Sequence, residues 1–320
     1  MTVINNIYSG TSENIKKAAD TICNGGLVAF PTDTVYGLGA NVYDAKAVAN
    51  IFAAKGRPSF DPLISHIAEI DFLKEYACTD SRAIDLAKHF WPGPLTLVLK
   101  RKDNNPSLDL VCSGLPNIAV RMPNHPLALE LIKKSGVPIA APSANKFKCI
   151  SPTTAQHVAD SLGDAVDMIL DGGACTIGVE TTIIDLTTTQ IVMLRAGGLS
   201  KEELEEYTGE KIMISHGDPN QPSAPGQLLK HYAPKMPMRI NVAEEDVKEN
   251  EFFIGFGNVK NANLNLSSDA DLNEAAANLF AYMREAETHS EFCGIAMSPI
   301  PMRGLGLAIN DRIKRAAYKD

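Results

Sequence analysis

The sequence has little of what marks secreted, membrane or metal-binding proteins. Its six cysteines are scattered and form no Cys-x-x-Cys pair, so we expect reduced, buried thiols and no zinc site or disulfide framework. No apolar stretch approaches the ~20 residues that a membrane-spanning helix needs. The first ten residues contain neither the basic nor the apolar segment of a signal peptide. These absences predict a cytoplasmic protein with no membrane contact and no metal site built from protein side chains.

Common nucleotide-binding and nucleophile motifs are also missing. The chain has no Gly-Lys dipeptide, which excludes a Walker-type phosphate loop, and Gly37-Leu38-Gly39 lacks the third glycine of a dinucleotide fingerprint. No Gly-x-Ser-x-Gly sequence marks a serine nucleophile. If the chain is an enzyme, we expect it to act by positioning substrates and neutralising charge.

The balance of charge is acidic. Aspartate and glutamate number 38 against 30 lysines and arginines, a net charge of −8, so the molecule as a whole does not present a nucleic-acid-binding surface. The run Lys100-Arg101-Lys102 follows an apolar strand, where it is either a local basic patch or a solvated strand end. With 320 residues, 45% of them hydrophobic, the chain is long enough for two domains.

The order of apolar runs and breakers predicts a two-domain α/β protein. Residues 1–210 are the first predicted domain, in which residues 11–205 alternate helix-like and strand-like segments. The apolar runs of residues 182–193 indicate a hairpin, so we expect a mixed sheet. Asp44 and Gly56 bracket one helix, and Ser200 with Glu203 forms a capping box. Residues 211–237 have the composition of a linker, and residues 238–320 repeat the α/β pattern as a small domain.

Four polar segments carry groups suited to an anionic nucleotide: residues 31–39, 55–58, 119–123 and 141–145. Most follow an apolar run, so their polar groups should lie at strand ends, where an α/β sheet binds ligands. Lys55 and Arg57 offer a point charge and a bidentate fork for neighbouring phosphates, although cations here also suit the C-terminal dipole of the preceding helix. Gly37 and Gly39 predict unusual backbone angles after the first strand.

These segments resemble the YrdC-like family in its longer, two-domain form, whose signature pairs Lys55-Gly56-Arg57 with the later Ser143-Ala144-Asn145. The resemblance covers most of the chain. It implies an α/β fold with a twisted, open mixed sheet around a large concave cavity, plus the small second α/β domain. It also implies a nucleotidyltransferase that makes threonylcarbamoyl-AMP from L-threonine, bicarbonate and ATP and releases pyrophosphate.

The same resemblance implies partners. Mg²⁺ is expected with ATP, and the product is expected to pass to a separate transferase that modifies tRNA at the adenosine beside the anticodon. The resemblance is also compatible with a weak contact between this protein and tRNA itself.

The resemblance further assigns site residues. Catalysis falls to Lys55 and Arg57, ATP binding to Arg57, Asp61, Asn117, Ser143, Asn145, Ser151, Arg195 and Tyr232, and threonine binding to Thr34, His66, Arg121, Ala141 and Thr181. Several have a structural alternative: Thr34 as a turn hydroxyl, His66 as a core histidine, Ser151 as the start of a helix and Tyr232 as an ordinary linker aromatic. In the family, the segment that contains Tyr232, residues 230–234, lies over the mouth of the active site.

The sequence departs from the family at three places. Asp61 stands where asparagine is common, and an acid facing ATP would repel phosphate unless Mg²⁺ or Lys55 compensates. Asn117 stands where threonine is usual, and residues 223–227 differ from the family's Ser-Pro-Gly-Met form. These differences bear on the geometry of the linker as a lid and on ATP binding.

Two other functions stay open on the sequence alone. A non-catalytic RNA-binding module of the same fold would show strong, salt-dependent RNA affinity without pyrophosphate release. An ATP hydrolase would release phosphate or AMP independently of threonine.

Overall fold

The computed structural model describes residues 6–102, 108–215 and 230–318. Residues 6–102 and 108–215 form the first domain, with the strands β1 (Ile7–Ser9), β2 (Val28–Phe30), β3 (Gly37–Asn41), β4 (Ile64–His66), β5 (Leu95–Lys100), β6 (Asn117–Arg121), β7 (Ile139–Ala140), β8 (Met168–Asp171), β9 (Thr182–Asp185), β10 (Val192–Arg195) and β11 (Met213–Ile214). Its helices are α1 (Ser12–Cys23), α2 (Ala45–Lys55), α3 (Leu73–Tyr76), α4 (Ser81–Phe90), α5 (Leu108–Val111), α6 (Pro126–Ser135), α7 (Ala155–Leu162) and α8 (Lys201–Thr208). The second domain contains β12 (Met238–Arg239), β13 (Glu251–Gly255), β14 (Leu264–Asn265), α9 (Leu272–Ala286), β15 (Gly294–Met297) and α10 (Gly306–Ala316).

Local signals in the sequence set several helix ends. The Asp44 carboxylate caps α2 by accepting from the backbone N–H groups of Lys46 and Ala47, at 2.9 and 3.0 Å, and Gly56 ends the helix with a φ of +65°. Ser200 and Glu203 form the predicted capping box of α8. These ends are correctly predicted because a cap depends only on residues within one turn.

The first domain has one eleven-stranded sheet in the order β1-β8-β2-β3-β7-β4-β6-β5-β9-β10-β11. It mixes parallel pairs, such as β4 with β6, and antiparallel pairs, such as β5 with β6 and β9 with β10. The predicted mixed sheet and hairpin are therefore confirmed. β11 lies within the range predicted as linker, where it pairs with β10.

The sheet brings the ends of several strands to one edge. His66 and Arg121 are register partners at the last positions of the parallel strands β4 and β6. β5 runs antiparallel to β6 and parallel to β9, so the start of β9, next to Thr181, lies at the same edge. Arg195, at the end of the antiparallel strand β10, joins them. Residues distant in sequence therefore converge at this edge.

Gly37 and Gly39 differ from the prediction. They lie in strand β3 and neither has a positive φ, so they form no unusual turn. A Cβ on Gly39 would lie 2.7 Å from Cγ2 of Ile139 and 2.8 Å from Cε1 of Phe30. The glycine is needed because two large side chains cross the strand there.

The second domain has a parallel sheet in the order β12-β15-β13-β14, with α9 and α10 packed on it. Its apolar core also includes Val35, Ile150 and Val179 of the first domain, and Tyr232 of the connecting segment. Gly178 packs so closely on α9 that a Cβ would lie 2.4 Å from the carbonyl oxygen of Ala276. The two domains thus share packed apolar side chains.

The cysteines and the helices bear on two further predictions. All six cysteines are free, but Cys23, Cys78, Cys149 and Cys293 are exposed, so the expectation of buried thiols is correct only for Cys112 and Cys175.

In the part of the chain that the structure describes, no helix is long and apolar enough to span a membrane.

Candidate active site

A cavity lies at the edge of the first sheet where the strand ends converge. Residues predicted to bind ligand line it: Thr34, Arg57, His66, Arg121, Ala141, Ser143, Thr181, Arg195 and Tyr232. Thr32, Glu180 and His231 line it as well. Its volume is about 50 Å³, room for a few water molecules and less than the roughly 300–1,000 Å³ of typical small-molecule pockets.

Arg121 is held rigidly at one side of the cavity. Its Nη1 donates to the Thr34 hydroxyl at 2.9 Å, its Nε donates to the Gly93 carbonyl at 3.2 Å, and its Nη2 forms an ion pair with Asp33. Asp33 also accepts from the backbone N–H of Asn124 at 3.0 Å. The guanidinium is therefore oriented before any ligand binds.

His66 lies beside Arg121 as a neutral ring. Burial lowers the pKa of His66 to about 3, and the charge of Arg121 adds to this shift. Its Nδ1 lies 3.2 Å from the carbonyl oxygen of Ile64. His66 lines the cavity, so it is more than a core histidine, and its neutral ring offers a hydrogen bond without adding charge.

Thr181 and Arg195 form the opposite side. Arg195 donates from Nε to the Thr181 carbonyl at 3.0 Å and from Nη2 to the Thr181 hydroxyl at 2.8 Å, while the Thr96 hydroxyl donates to the same oxygen at 2.8 Å. Burial lowers the pKa of Arg195 to about 10, which leaves the side chain charged at neutral pH. Its guanidinium therefore faces the cavity as a cation.

Arg57 lines the cavity but is not the freely exposed cation that a phosphate clamp suggests. It is buried, its Nη2 lies 2.8 Å from Oδ1 of Asp61, and it donates to the carbonyls of Asp61 and Pro62. Asp61 itself does not line the cavity. Asp61 neutralises Arg57 from outside the cavity lining, and its contact with ATP stays a prediction.

Lys55 and Asn145 also lie behind the cavity wall. The Lys55 ammonium donates to the backbone carbonyls of Ser143 and, at 2.6 Å, of Asn145. The Asn145 amide donates to the carbonyls of Lys146 and Cys149, at 2.8 and 2.9 Å. Both side chains fix the loop that presents Ser143, which is a positioning role, and their direct contact with ATP stays a prediction.

Ser151 likewise does not reach the cavity. Its hydroxyl donates to Oε1 of Glu180 at 2.6 Å, and the other Glu180 oxygen accepts from Nε of Arg312 at 3.0 Å. Burial alone would raise the pKa of Glu180, but Arg312, Arg195 and Ser151 outweigh it and lower that pKa. Glu180 is therefore a paired carboxylate in the wall.

Sequence reasoning missed the pair of Glu180 and Arg312, although the sequence carries a signal for it. Glu180 follows the buried Val179 in a segment that continues into β9, and Arg312 lies among the apolar positions Ile309 and Ile313 of α10. A charge within an apolar pattern needs a buried partner. What the sequence lacked was the identity of that partner.

Tyr232 and His231 close the remaining side. Tyr232 is buried, with its ring 5.4 Å from that of Phe280 and 5.5 Å from the guanidinium carbon of Arg312. Burial raises the pKa of Tyr232 to about 12, and burial together with Arg57 lowers the pKa of His231 well below its usual value. Tyr232 is thus part of the second domain's core as well as of the cavity wall, which is more than an ordinary linker aromatic.

Two further predictions concern residues that are not part of the cavity lining described above. Asn117 is at the start of β6, four residues and about 13 Å along the strand from Arg121, and it does not line the cavity. Residues 223–227, the altered linker motif, lie outside the described residues.

The arrangement brings three guanidinium groups, of Arg57, Arg121 and Arg195, to one cavity lined by threonine and serine hydroxyls. Buried cations of this kind bind small anions such as carboxylates and phosphates. Among the described residues, no group of three or more histidine, cysteine, aspartate or glutamate side chains could hold a metal ion.

Family models match both domains. The model Sua5_yciO_yrdC, described as "Telomere recombination", matches residues 20–197, and the model Sua5_C, described as "Threonylcarbamoyl-AMP synthase, C-terminal domain", matches residues 199–318.

Relatives match nearly the whole chain. The threonylcarbamoyl-AMP synthase of Pyrococcus abyssi is 40% identical, covering 99% of this chain and 98% of that protein, and that of Bacillus subtilis is 40% identical, covering 97% and 94%. The crystal structure of P. abyssi Sua5 complexed with L-threonine superposes with a TM-score of 0.90 at 39% identity, covering 97% of each chain. This chain therefore belongs to the Sua5/YrdC family, in the two-domain form of the threonylcarbamoyl-AMP synthases.

Proposed function

We propose that this protein forms threonylcarbamoyl-AMP from L-threonine, bicarbonate and ATP and releases pyrophosphate. The observation that carries the proposal is the convergence of Arg57, Arg121 and Arg195 on one cavity in a chain of this family. An amino acid carboxylate and a triphosphate are both anions, and three fixed cations match them. The hydroxyls of Thr34 and Thr181 match the hydroxyl of threonine.

The first step is carbamate formation at the threonine side. Arg121, oriented by Asp33, holds the threonine carboxylate, and Thr34 and Thr181 hold its hydroxyl. The neutral amine attacks the carbon of bicarbonate or carbon dioxide, forming the N–C bond; from bicarbonate, water leaves, and from carbon dioxide, the amine loses one proton to solvent. Holding both reactants in one cavity supplies the proximity that this step needs.

The second step is adenylation. A carbamate oxygen attacks the α-phosphorus of ATP, the new P–O bond forms, and the bond from the α-phosphorus to the bridging oxygen breaks to release pyrophosphate. Arg57 and Arg195 offset the charge on the phosphates, while Lys55 holds the Ser143 loop in place. A nucleotide needs more room than the cavity offers, so the cavity must widen when ATP binds.

Mg²⁺ enters the proposal as part of the nucleotide substrate. The carboxylates of Asp61 and Glu180 are engaged by Arg57 and Arg312, and the described residues offer no other acidic cluster near the cavity. These residues do not fit a magnesium site made of protein ligands alone. Mg²⁺ is more commonly bound through substrate phosphates than by such sites.

The chemistry of the product suggests the reaction that consumes it. Threonylcarbamoyl-AMP is a mixed anhydride and transfers its acyl group readily, so a separate tRNA-modifying transferase is proposed to use it. Any contact of this chain with tRNA would be weak because the net charge is −8. The buried position of the cavity cations suits a small anion better than an RNA surface.

Pyrophosphate release from MgATP tests the proposal. With the purified full chain, release should require both threonine and bicarbonate, and the adenylated product should be detectable by mass spectrometry. Phosphate or AMP release that is independent of threonine would favour an ATP hydrolase. Salt-dependent RNA binding without pyrophosphate release would favour the RNA-binding module.

A further inference from the structure

One arginine of the second domain, Arg312 on α10, lies fully buried against the wall of the cavity. Its Nε donates to Glu180 at 3.0 Å, and its Nη1 donates to the carbonyl of Ala196 at 2.5 Å. Its guanidinium carbon lies 5.5 Å from the centre of the Tyr232 ring, a distance typical of a cation–π contact. A single side chain of the second domain therefore contacts three separate segments around the cavity.

Two of these segments carry a cavity-lining group assigned to ATP, and the third carries Glu180, which lines the cavity itself. Glu180, oriented by Arg312, accepts the hydroxyl of Ser151 at 2.6 Å. Ala196 directly follows Arg195, and Tyr232 lines the cavity. A displacement of the Arg312 guanidinium would therefore change the positions of the cavity residues Glu180, Arg195 and Tyr232 together.

The threonine side has separate anchors. Arg121 is held by Asp33, Gly93 and Thr34, all in the first domain. In the described parts of the chain, Arg312 makes no hydrogen bond to any of these residues. Arg121 and its anchors therefore do not depend on Arg312, whereas Thr181, which accepts from Arg195 at 2.8 Å, lies on the side that Arg312 supports.

We propose that Arg312 is a positioning residue through which the docked second domain assembles the ATP half of the cavity. The inference rests on the proposed function and extends it, since it gives the second domain a defined role in nucleotide binding. A buried ion pair by itself is weak evidence for stability, because well-packed apolar residues of similar volume often do as well. The pair is more readily explained if it orients the groups that it contacts.

Two substitutions separate positioning from stability. Arg312→Met leaves the Glu180 carboxylate buried and unpaired, which is expected to destabilise the protein. The double variant Glu180→Gln/Arg312→Met removes both charges, while the glutamine oxygen can still accept from Ser151. The matched control is Arg239→Met, which breaks the ion pair between Arg239 and Glu251, 2.8 Å apart, within the second domain and away from the cavity.

The measurements are the melting temperature, the KM for ATP from threonine-dependent pyrophosphate release, and the Kd for threonine by calorimetry, all on the full chain. We expect the double variant to regain the wild-type melting temperature but to keep a KM for ATP raised about tenfold or more. Its Kd for threonine should weaken by a smaller factor than the KM for ATP, because the anchors of Arg121 do not include Arg312. Arg312→Lys, which keeps a charge but loses the planar fork, should give an intermediate KM for ATP.

A double variant with the wild-type KM for ATP would show that the pair is only structural and would overturn the proposal. A threonine Kd weakened by the same factor as ATP binding would overturn it too, because Arg312 would then act on the whole cavity and not on its ATP side. If the wild-type chain releases no pyrophosphate with threonine, the proposed function fails instead. In that case, calorimetry of the same variants with a non-hydrolysable ATP analogue still tests whether Arg312 supports nucleotide binding.

Discussion

Replacing Arg57 with alanine should destabilise the protein as well as inactivate it. Arg57 and Asp61 form a buried ion pair at 2.8 Å, with side chains only 4% and 1% exposed. Removing one member of such a pair typically costs about 3–5 kcal/mol, because the other charge stays buried without compensation. For a domain of roughly 150–250 residues, that loss lowers the melting temperature by about 6–20 °C.

The loss of stability in the Arg57→Ala variant should depend on pH in a defined direction. Burial raises the pKa of Asp61 above its usual 3.8, and Arg57 opposes that rise, so the variant should have a still higher pKa at this carboxyl. At pH values between the pKa of Asp61 in the unfolded chain and its higher pKa in the folded variant, the folded state holds more protons than the unfolded state. In that range the free energy of unfolding falls as pH rises. The deficit in melting temperature of Arg57→Ala should therefore be larger at pH 8 than at pH 5.

A second substitution separates stability from activity. Arg57→Ala/Asp61→Asn removes the stranded charge and should recover most of the melting temperature at pH 8. Threonine-dependent pyrophosphate release should stay about 100-fold below wild type, since the cavity still lacks the Arg57 cation. Lys17→Ala, which breaks an exposed ion pair with Glu13, is the control and should leave the melting temperature unchanged.

Differential scanning fluorimetry at the two pH values, together with the pyrophosphate assay, provides the test. A deficit that is equal at both pH values, or that Asp61→Asn does not relieve, would refute the effect expected of the buried pair. Near-normal turnover of the double variant would refute the role of Arg57 in phosphate binding.

Three further predictions concern the threonine side. Valine should support pyrophosphate release at least about 100-fold less well than threonine, and serine much better than valine, because valine offers no oxygen to accept the hydroxyl proton of Thr181, whose oxygen already accepts from Thr96 and Arg195. Equal turnover of valine and threonine would contradict this pocket. Asp33→Asn should weaken threonine binding about tenfold in calorimetry, since Asp33 orients Arg121. It should change the KM for ATP less than about twofold. An equal effect on threonine binding and on the KM for ATP would point to general misfolding. His66 should stay neutral in NMR titrations from pH 8 to pH 5, because burial lowers its pKa to about 3. The same histidine in the unfolded chain has a pKa near 6.5, so folding stability falls as the pH drops below 6.5. A His66 ring that titrates near pH 6.5 would contradict its burial.

Sequence by itself determined the elements whose boundaries depend on near neighbours. The ends of α2 at Asp44 and Gly56 and the capping box of α8 depend on hydrogen bonds within one helical turn. Strand ends were predicted from apolar runs, and the polar residues directly after them placed Arg121 and Arg195 at the cavity. Strand β3 was missed because Gly37-Leu38-Gly39 has none of the β-branched or aromatic residues typical of strands.

Only the tertiary structure decided which of the charged residues face the cavity. Lys55, Asp61 and Ser151 are close in sequence to cavity residues, yet each is turned to a partner in the wall. Glu180 and Arg312 are 132 residues apart and come together only when the second domain docks. A buried charge must find a compensating partner, and the sequence pattern shows that one is needed but not which one, since that depends on how the two domains pack.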